Sequence, residues 1–473
     1  MARVLLIGLD GFGYDFAARS FAAGFMPFLA DRAAAGAFGP ATSTIPPVST
    51  AAWTTITTGV GVGKHGVVDF RRREMANYGF AKAGRLVNSA DVLVPRVYDL
   101  AGRAGLKSFV LNLPVTYPAA PVNGVLVTGV LTPPGSDRGF WPPAFRKYLA
   151  GYAYDLDEPV PAKLGGLCRR LEDLETSRAR VAAAAFARER FDLAMVIFTG
   201  PDRLFHRFYG DAYAWTDPDD VPAAVASYLR VLDAACEKVY EAFGADGALI
   251  VCSDHGFGPG PDKAFFVNRL LKKEGLLSIS TDPASFAVNF VLGGIRKLLG
   301  RGRPLAVNWR RTAAYGFASY MRWGGVALNV AGEQREGKVK PAEQASAAAD
   351  VKRALLAVGE RHPGLVEWVK TREELYAGPA TADLPHLVFQ ARPDAVVAEG
   401  KGPGPLLAPY RNAAKTGEHD VEAMAFVVGE GVPAGERLEI RLEDVAATAA
   451  DFLRLDCRGM DGEPWGKAVR RGP

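Results

Sequence analysis

Mostly apolar runs of strand length alternate along this chain with longer stretches that are rich in Ala, Arg and Glu. The apolar runs are Val4–Leu9, Ser108–Leu113, Leu193–Phe198 and Ala248–Cys252, and residues 177–190 before the third run are typical of a helix. Strands that are covered on both faces have such continuous apolar runs. Strands with one face exposed to solvent alternate apolar and polar residues instead. The pattern predicts an α/β fold with a mostly parallel central sheet sandwiched between helices.

Two long segments interrupt this alternation. Residues 71–168 and 258–415 are irregular, with a Gly/Pro loop at 402–405 and an Ala-rich helical stretch at 345–357. We expect a single catalytic domain, residues 1–473, in which both segments are insertions or caps.

Composition and charge narrow the class of protein. A chain of 473 residues with 49% hydrophobic and 23% charged residues is typical of a globular protein. The net charge is only +4 and the densest basic run is the three arginines at 71–73, so we expect no nucleic-acid partner. The sequence does not indicate an oligomeric state.

Features of the termini and cysteines favour a cytoplasmic location. The first apolar strand begins almost at Met1 without a secretory signal, and no apolar run has the length of a transmembrane helix. The four cysteines are scattered without a CxxC pair, as expected for reduced thiols. Residues 286–299 favour a packed amphipathic helix over one that lies on a membrane surface.

Acidic residues and histidines recur where the predicted strands end. Asp10 follows the first strand, Asp202 and His206 follow the third, and Asp254 and His255 follow the fourth. The carboxyl ends of parallel strands meet at one rim of a sheet, so these side chains are expected to converge. Carboxylates and imidazoles are ligands of divalent metals, and the pattern predicts a hydrolytic metal site.

Each of these motifs also has an ordinary structural explanation when it is taken alone. Asp202 and His206 are four residues apart and share a helix face, but surface helices often carry such pairs. Asp10 could equally cap a helix or pair with a cation. His419, before the apolar run 423–428, would by itself more often be structural.

A hydroxyl residue occupies the predicted start of a short helix. The proline pair 46–47 favours an extended backbone, and residues 50–58 then form a helical pattern that ends at Gly59. The free amides and positive dipole end of such a helix favour a phosphate group near Ser49. The alternative is that Ser49 is a helix N-cap.

In this order, the motifs resemble those of the alkaline phosphatase superfamily, and within it the type I phosphodiesterase/nucleotide pyrophosphatase branch. The resemblance covers most of the chain, and shorter segments resemble a bacterial cytosolic subgroup of predicted phosphohydrolases. The motifs are residues 6–11, 46–66, the Asp202/His206 pair, residues 253–256 and His419.

The resemblance implies two bound divalent metal ions, with zinc expected and manganese as the alternative. It places Asp10, Ser49, Asp254 and His255 on one ion, and Asp202, His206 and His419 on the other. Ser49 would then be the nucleophile that forms a covalent phosphoryl enzyme, which activated water releases.

The chain departs from the family pattern at two points. The family usually has threonine as the nucleophile, and an asparagine further along that contacts a phosphoryl oxygen. Here the nucleophile position is Ser49, the helix behind it has no asparagine, and Asn112 is a candidate replacement.

The leaving group is expected to contact the caps, whose aromatic and basic side chains could stack on it or pair with it, unless they only pack the cap. Tyr320 and Arg322 are the main candidates, with Trp141, Tyr315 and Trp323 beside them.

These features predict hydrolysis of a small phosphate ester, with a phosphodiesterase as the first choice. A phosphomonoesterase or phosphomutase of the same superfamily is an alternative, as is an inactive, metal-stabilised binding protein. A sulfatase is not supported, because Ser49 lacks the x-Pro-x-Arg that follows the sulfatase nucleophile. The sequence does not distinguish diester from monoester substrates or identify the leaving group.

Overall fold

The structure is a computed structural model that describes residues 3–81, 84–156, 159–244, 246–280, 306–412 and 414–468. The amphipathic helix predicted at 286–299 lies outside the described residues. Within them, no helix combines the length and the apolar character that crossing a membrane requires.

The secondary structure elements are numbered in chain order. The strands are β1 (Val4–Leu9), β2 (Ala37–Thr42), β3 (Arg71–Arg72), β4 (Arg85–Leu86), β5 (Ser108–Leu113), β6 (Gly124–Thr128), β7 (Phe140–Trp141), β8 (Leu193–Phe198), β9 (Ala248–Cys252), β10 (Gly256–Pro259), β11 (Lys263–Phe266), β12 (Ala314–Tyr320), β13 (Trp323–Leu328), β14 (Val366–Thr371), β15 (Leu387–Ala391), β16 (Ala395–Ala398), β17 (Leu407–Pro409), β18 (Gly417–Asp420), β19 (Glu422–Val428), β20 (Glu436–Arg437) and β21 (Ile440–Arg441). The α-helices are α1 (Tyr14–Ala22), α2 (Pro27–Ala34), α3 (Ser49–Thr58), α4 (Val62–His65), α5 (Val97–Arg103), α6 (Leu164–Phe186), α7 (Gly200–Ala212), α8 (Ala223–Phe243), α9 (Val267–Lys273), α10 (Gln344–Arg361), α11 (Arg372–Leu375), α12 (Glu443–Phe452) and α13 (Trp465–Ala468).

The central sheet has ten strands in the described part of the chain, in the order β20-β2-β19-β9-β1-β8-β5-β6-β7, with β21 also beside β2. The five strands from β9 to β6 are parallel to one another. β19 runs antiparallel to both of its neighbours, and β7 runs antiparallel to β6. The predicted α/β class with a largely parallel sheet is confirmed, and antiparallel strands make the whole sheet mixed.

Helices cover both faces of this sheet, as predicted. On β1, Leu5 and Ile7 point into a core that includes residues of α1, α2, α6, α7 and α8. Val4 and Leu6 point into a second core with residues of α3, α5 and α12. Because successive side chains of a strand face opposite sides, a strand buried on both faces needs an unbroken apolar run, which β1 has.

The four predicted strands have the bounds that the sequence pattern gave, but the helix predicted at 177–190 differs. It is α6, which begins earlier, at Leu164, and ends at Phe186. Leu167, Leu171 and Leu174 recur at helical spacing and are buried in the core, so the apolar face extends toward the amino end.

The two irregular segments differ in how they relate to the central sheet. Residues 71–168 include β5, β6 and β7, which are strands of that sheet. Residues 258–415 begin within β10 and end just before β18, and they form two sheets of their own, β16-β11-β17 and β12-β13-β15-β14. These sheets share a separate core with α9 and α10, in which Phe265, Leu355 and Phe389 are buried. We name the segment 258–415 the insertion.

Candidate active site

Three neighbouring parallel strands, β9, β1 and β8, bring acidic residues to one rim of the sheet. Asp10 directly follows β1, Asp202 lies in the first turn of α7 behind β8, and Asp254 and His255 follow β9. All four side chains are buried. The rim at the carboxyl ends of parallel strands is where ligands bind in α/β folds, and these side chains define a candidate active site there.

Ser49 is the first residue of α3, and it is directed into this site. The N-cap position belongs to Val48, and no side chain caps the helix, so the alternative role of Ser49 as an N-cap does not apply. Ser49 Oγ lies 3.4 Å from Asp10 Oδ1 and 3.2 Å from His255 Nε2. The helix ends at Gly59 with a left-handed φ of 70°, where the sequence pattern predicted its end.

His419 reaches the site from the far side of the insertion. It lies on β18, which pairs antiparallel with β10 so that His419 is opposite Phe257. Its ring stacks on that of His255, with 3.5 Å between the ring centroids. Its Nε2 is 3.1 Å from Asp202 Oδ1 and 2.9 Å from His206 Nε2. The ligand candidates therefore form two adjacent buried clusters, Asp10/Asp254/His255 and Asp202/His206/His419.

The three histidines of the two clusters make the same kind of contact with the backbone. Each Nδ1 lies against a backbone carbonyl: Gly417 O for His206 (2.9 Å), Gly256 O for His255 (3.0 Å) and Pro47 O for His419 (2.8 Å). A carbonyl only accepts, so Nδ1 carries the proton and Nε2 keeps its lone pair for a ligand. Burial, the largest cause, lowers the pKa of His255 and His419 and keeps both rings neutral.

The three carboxylates are also oriented, because a donor outside each cluster holds one of their oxygens. The donors are Trp53 Nε1 to Asp10 Oδ2 (3.0 Å), Gly11 N to Asp254 Oδ1 (3.0 Å) and Arg203 Nη1 to Asp202 Oδ2 (2.9 Å). The second oxygen of each carboxylate faces its cluster. Asp254 Oδ2 is buried and accepts no hydrogen bond from the described residues.

The electrostatics of both clusters favour a bound cation. Burial and the charges of Asp254 and Asp202 raise the pKa of Asp10, and burial raises that of Asp254. Burial also opposes the charge of Asp202, but His206, His419 and Arg203 hold its pKa well below the usual range. The carboxylates oppose one another's ionisation, and one buried carboxylate oxygen has no partner among the described residues. The lone pairs of the imidazoles point to the same place. Such a set of donors fits a divalent metal ion.

The structure brings together the seven residues predicted as ligands, and it adds Tyr320. The phenol of Tyr320 lies 3.1 Å from His419 Nε2. Arg322, two residues further on, has its guanidinium 3.4 Å from Asp420 Oδ2 and 3.8 Å from Glu367 Oε2.

The other predicted substrate contacts lie elsewhere. Asn112 has a left-handed φ of 63°, and its Nδ2 donates to Ile197 O on the neighbouring strand β8 at 2.9 Å. Tyr315 and Trp323 are buried in the insertion, with 1% and 0% of their surface exposed, as expected under the alternative that they pack the cap. Trp141 is on β7 at the edge of the sheet.

Two residues that orient the ligands were not predicted from the sequence. Trp53 lies four residues after Ser49, which places both on one face of α3, and Arg203 follows Asp202 directly. Arg203 is itself fixed by Asp155, whose carboxylate accepts from Nε at 3.1 Å and from Nη2 at 2.6 Å. The helical spacing was a usable signal for Trp53, whereas nothing in the sequence connects Asp155 with Arg203.

A buried hydroxyl at a helix N-terminus beside two such clusters is typical of a phosphodiesterase/phosphatase-type hydrolase. The chain belongs to the type I phosphodiesterase/nucleotide pyrophosphatase family, whose model matches residues 4–422, and so to the alkaline phosphatase superfamily. The matched range contains every residue of both clusters. The resemblance stated from the motifs is thereby confirmed, and it supports hydrolysis of phosphoryl esters.

Solved structures share the fold at low sequence identity. Phosphonoacetate hydrolase from Sinorhizobium meliloti 1021, in complex with phosphonoacetate, has a TM-score of 0.59 at 16% identity over 95% of this chain and 96% of its own. An inactive variant of murine ectonucleotide pyrophosphatase/phosphodiesterase 5, in complex with AMP, has a TM-score of 0.58 at 14% identity over 99% of both chains. The human protein of that name has a TM-score of 0.57 at 13% identity, over 99% of this chain and 98% of its own. None of the curated proteins matches the chain by sequence.

Proposed function

We propose that this enzyme is a metal-dependent phosphoric ester hydrolase that acts through a covalent phosphoryl-Ser49 intermediate. The observation that carries this proposal is the position of Ser49 Oγ, 3.2 Å from His255 Nε2 and 3.4 Å from Asp10 Oδ1, at the start of a helix. A hydroxyl held there is next to the groups that would activate it.

Two divalent ions, zinc in our proposal, would be held by two sets of side chains. Asp10, Ser49, Asp254 and His255 form the first set, and Asp202, His206 and His419 form the second. When bound, such ions neutralise phosphoryl charge and lower the pKa of a hydroxyl or a water molecule.

The helix start supplies a phosphate cradle that does not need the missing asparagine. The first intrahelical bond at this end of α3 is donated by Ala52 N to Val48 O. The amides of Ser49, Thr50 and Ala51 therefore have no partner inside the helix, and such amides point along the helix axis toward an anion. We propose that they bind the non-bridging phosphoryl oxygens and take the role first considered for Asn112.

The reaction then has two displacements at phosphorus. Ser49 gives up its proton, its Oγ bonds to phosphorus, and the bond to the leaving oxygen breaks. The departing oxygen takes up a proton. Water next attacks the phosphoryl group, the bond from phosphorus to Ser49 Oγ breaks, and Ser49 regains a proton. The buried, neutral rings of His255 and His419 exclude bulk water without adding charge to the site.

Tyr320 is the part of the insertion best placed to meet the substrate. It ends β12 at the tip of the β12–β13 hairpin, and its phenol now donates to the Nε2 lone pair of His419. Burial and the charge of Glu418 raise the pKa of Tyr320, so the phenol stays a donor. If a metal ion binds Nε2 of His419, the phenol of Tyr320 is free to donate to the substrate.

The central test is a paired assay with a generic phosphodiester and a generic phosphomonoester, run on zinc-loaded wild type. We expect turnover of at least one substrate, with the diester preferred, and covalently bound phosphate on Ser49 after rapid quenching. Better turnover of the monoester would favour the phosphatase alternative. Turnover of neither, with zinc bound, would favour the inactive binding protein.

Replacing Tyr320 with phenylalanine is expected to lower kcat/KM by about tenfold to a hundredfold, because one hydrogen bond to a charged group is lost. Tyr315→Phe is the matched control, since that buried phenol meets Lys401 Nζ at 3.1 Å within the insertion. Kinetics on a panel of phosphate esters would measure both variants. If Tyr320 and Arg322 are replaced together and the ranking of the panel stays the same, this part of the insertion does not select the leaving group.

The stabilisation that zinc gives is expected to increase with pH. Asp10 and Asp254 have raised pKa values, so they are protonated in the metal-free fold at acidic pH, and their ionisation at higher pH destabilises that fold. Zinc binds the ionised form and removes the penalty. The rise in Tm on adding zinc should therefore be larger at about pH 8 than at about pH 5. A larger rise at acidic pH in a thermal shift assay would contradict these pKa directions.

We also propose that the substrate is a small cytosolic metabolite. Two of the solved neighbours are complexes, one with phosphonoacetate and one with AMP, which are both small anions with a phosphorus centre. The described cysteines are all unpaired, as is usual in a reducing compartment. Cell fractionation with an antibody against the chain would test the location.

A further inference from the structure

The indole of Trp53 and the hydroxyl of Ser49 contact the same carboxylate from one face of α3. Trp53 Nε1 donates to Asp10 Oδ2 at 3.0 Å, while Ser49 Oγ lies 3.4 Å from Asp10 Oδ1. Trp53 has 0% of its surface exposed. One helix therefore contacts both oxygens of Asp10 and links the nucleophile to this ligand.

Close packing against β1 fixes the indole in place. A Cβ atom on Gly8 would lie 2.3 Å from Cη2 of Trp53, so only glycine allows the strand and the helix to approach this closely. Gly8 lies on β1, two residues before Asp10. The indole of Trp53 packs tightly against Gly8, and its N–H holds the Asp10 carboxylate in one orientation.

The two side chains that donate to the carboxylates from outside the clusters, Trp53 and Arg203, differ in charge. The guanidinium of Arg203 donates to Asp202, and its positive charge helps to hold the pKa of Asp202 low. Trp53 is a neutral donor, and it orients Asp10 without offsetting the negative charge that a metal needs. Donors of this kind outside the ligand shell typically change metal affinity by about 10-fold to 100-fold.

We infer that Trp53 is a positioning residue for the metal site of Asp10, Ser49, Asp254 and His255, and that its indole N–H leaves Oδ1 as the single oxygen of Asp10 that faces Ser49. Without this bond the carboxylate can rotate about its Cβ–Cγ bond and lose its alignment with the nucleophile. This inference rests on the proposed two-metal function, and it extends the contact between Trp53 and Asp10 to the affinity of one metal site.

The test is a zinc titration, in competition with a chromophoric chelator, of metal-free wild type, Trp53→Phe and Trp141→Phe. We expect Trp53→Phe to weaken one of the two bound zinc ions by about 10-fold to 100-fold and to leave the other unchanged. Trp141→Phe is the matched control. Trp141 lies on β7, the fourth strand from β1, and its indole donates to Val122 O at 3.1 Å. Its replacement removes this bond, and the affinities for both zinc ions should stay at wild-type values.

Each outcome has a defined meaning. Two zinc ions with wild-type affinity in Trp53→Phe, or equal weakening of both, would overturn the role of Trp53 and leave the proposed function intact. Wild type that binds fewer than two zinc ions would overturn the two-metal function itself, and the inference with it.

A second variant and a measurement on wild type guard against misfolding of Trp53→Phe. Gly8→Ala displaces the indole from the strand side and should weaken the same single zinc ion. The wild-type protein, labelled with ¹⁵N at its seven tryptophans, should show a solvent-protected indole N–H signal that shifts when zinc is added. If no protected indole signal responds to zinc, Trp53 does not bond a zinc ligand.

Discussion

Replacing Ser49 with alanine is expected to lower kcat by about four orders of magnitude or more, because Ser49 carries the only hydroxyl among the described residues that contacts both Asp10 and His255. Oγ of Ser49 contacts Asp10 and His255, whereas Oγ1 of the adjacent Thr50 is fully buried and has no partner among the described residues. Steady-state kinetics and mass spectrometry of the quenched enzyme would show loss of both turnover and the phosphoryl adduct.

Thr50→Ala is the matched control for this prediction. It removes a buried hydroxyl from the next position of the same helix, and we expect activity within a few fold of wild type. Near-normal turnover in Ser49→Ala together with a large loss in Thr50→Ala would move the nucleophile by one residue. Loss of turnover with the adduct retained would mean that Ser49 is not the phosphorylated residue.

Replacing His419 with glutamine is expected to remove one bound metal ion and lower kcat/KM by about a thousandfold or more, since a metal contributes several kcal/mol of transition-state stabilisation. Nε2 of His419 lies between Asp202 and His206, so its loss opens the whole second cluster. Elemental analysis of the purified variant, alongside kinetics in added zinc, would measure both effects.

His386→Gln provides the comparison. This histidine is also buried, but its Nδ1 accepts from Leu328 N within the insertion, away from both clusters. It should keep two metal ions and most of the activity. Two metal ions in His419→Gln with unchanged affinity would contradict the assignment of His419 to a metal site.

The positions that could be predicted from the sequence are those that local patterns determine. Unbroken apolar runs specify strands with two covered faces. Asp10 directly follows β1, and Asp254 is the second residue after β9. The helix at Ser49 could be predicted from the prolines before it and the glycine after it. These signals act within a few residues, so a single sequence contains all of them.

The contacts that could not be predicted depend on the tertiary structure. The acceptors that orient His206, His255 and His419 are backbone carbonyls, which every residue has, so no residue type marks them. Asn112 was a reasonable candidate by residue type, but its left-handed backbone turns the amide toward β8. Tyr320 was one of the two main candidates, with Arg322, but the sequence could not show that its phenol reaches His419, because hairpin geometry decides this.

The pairing of β10 with β18 has a consequence for how such an enzyme can diversify. The insertion leaves the catalytic domain at one strand of this ladder and returns at the other, with Pro259 opposite Gly417. Its two attachment points are therefore adjacent in space. The insertion also packs on the rest of the chain, where Tyr376 donates to Ile45 O at 2.8 Å. Segments of other lengths could replace it as a module while Phe257 and His419 stay opposite each other on the ladder. Substrate choice and bond cleavage could then evolve separately within one chain.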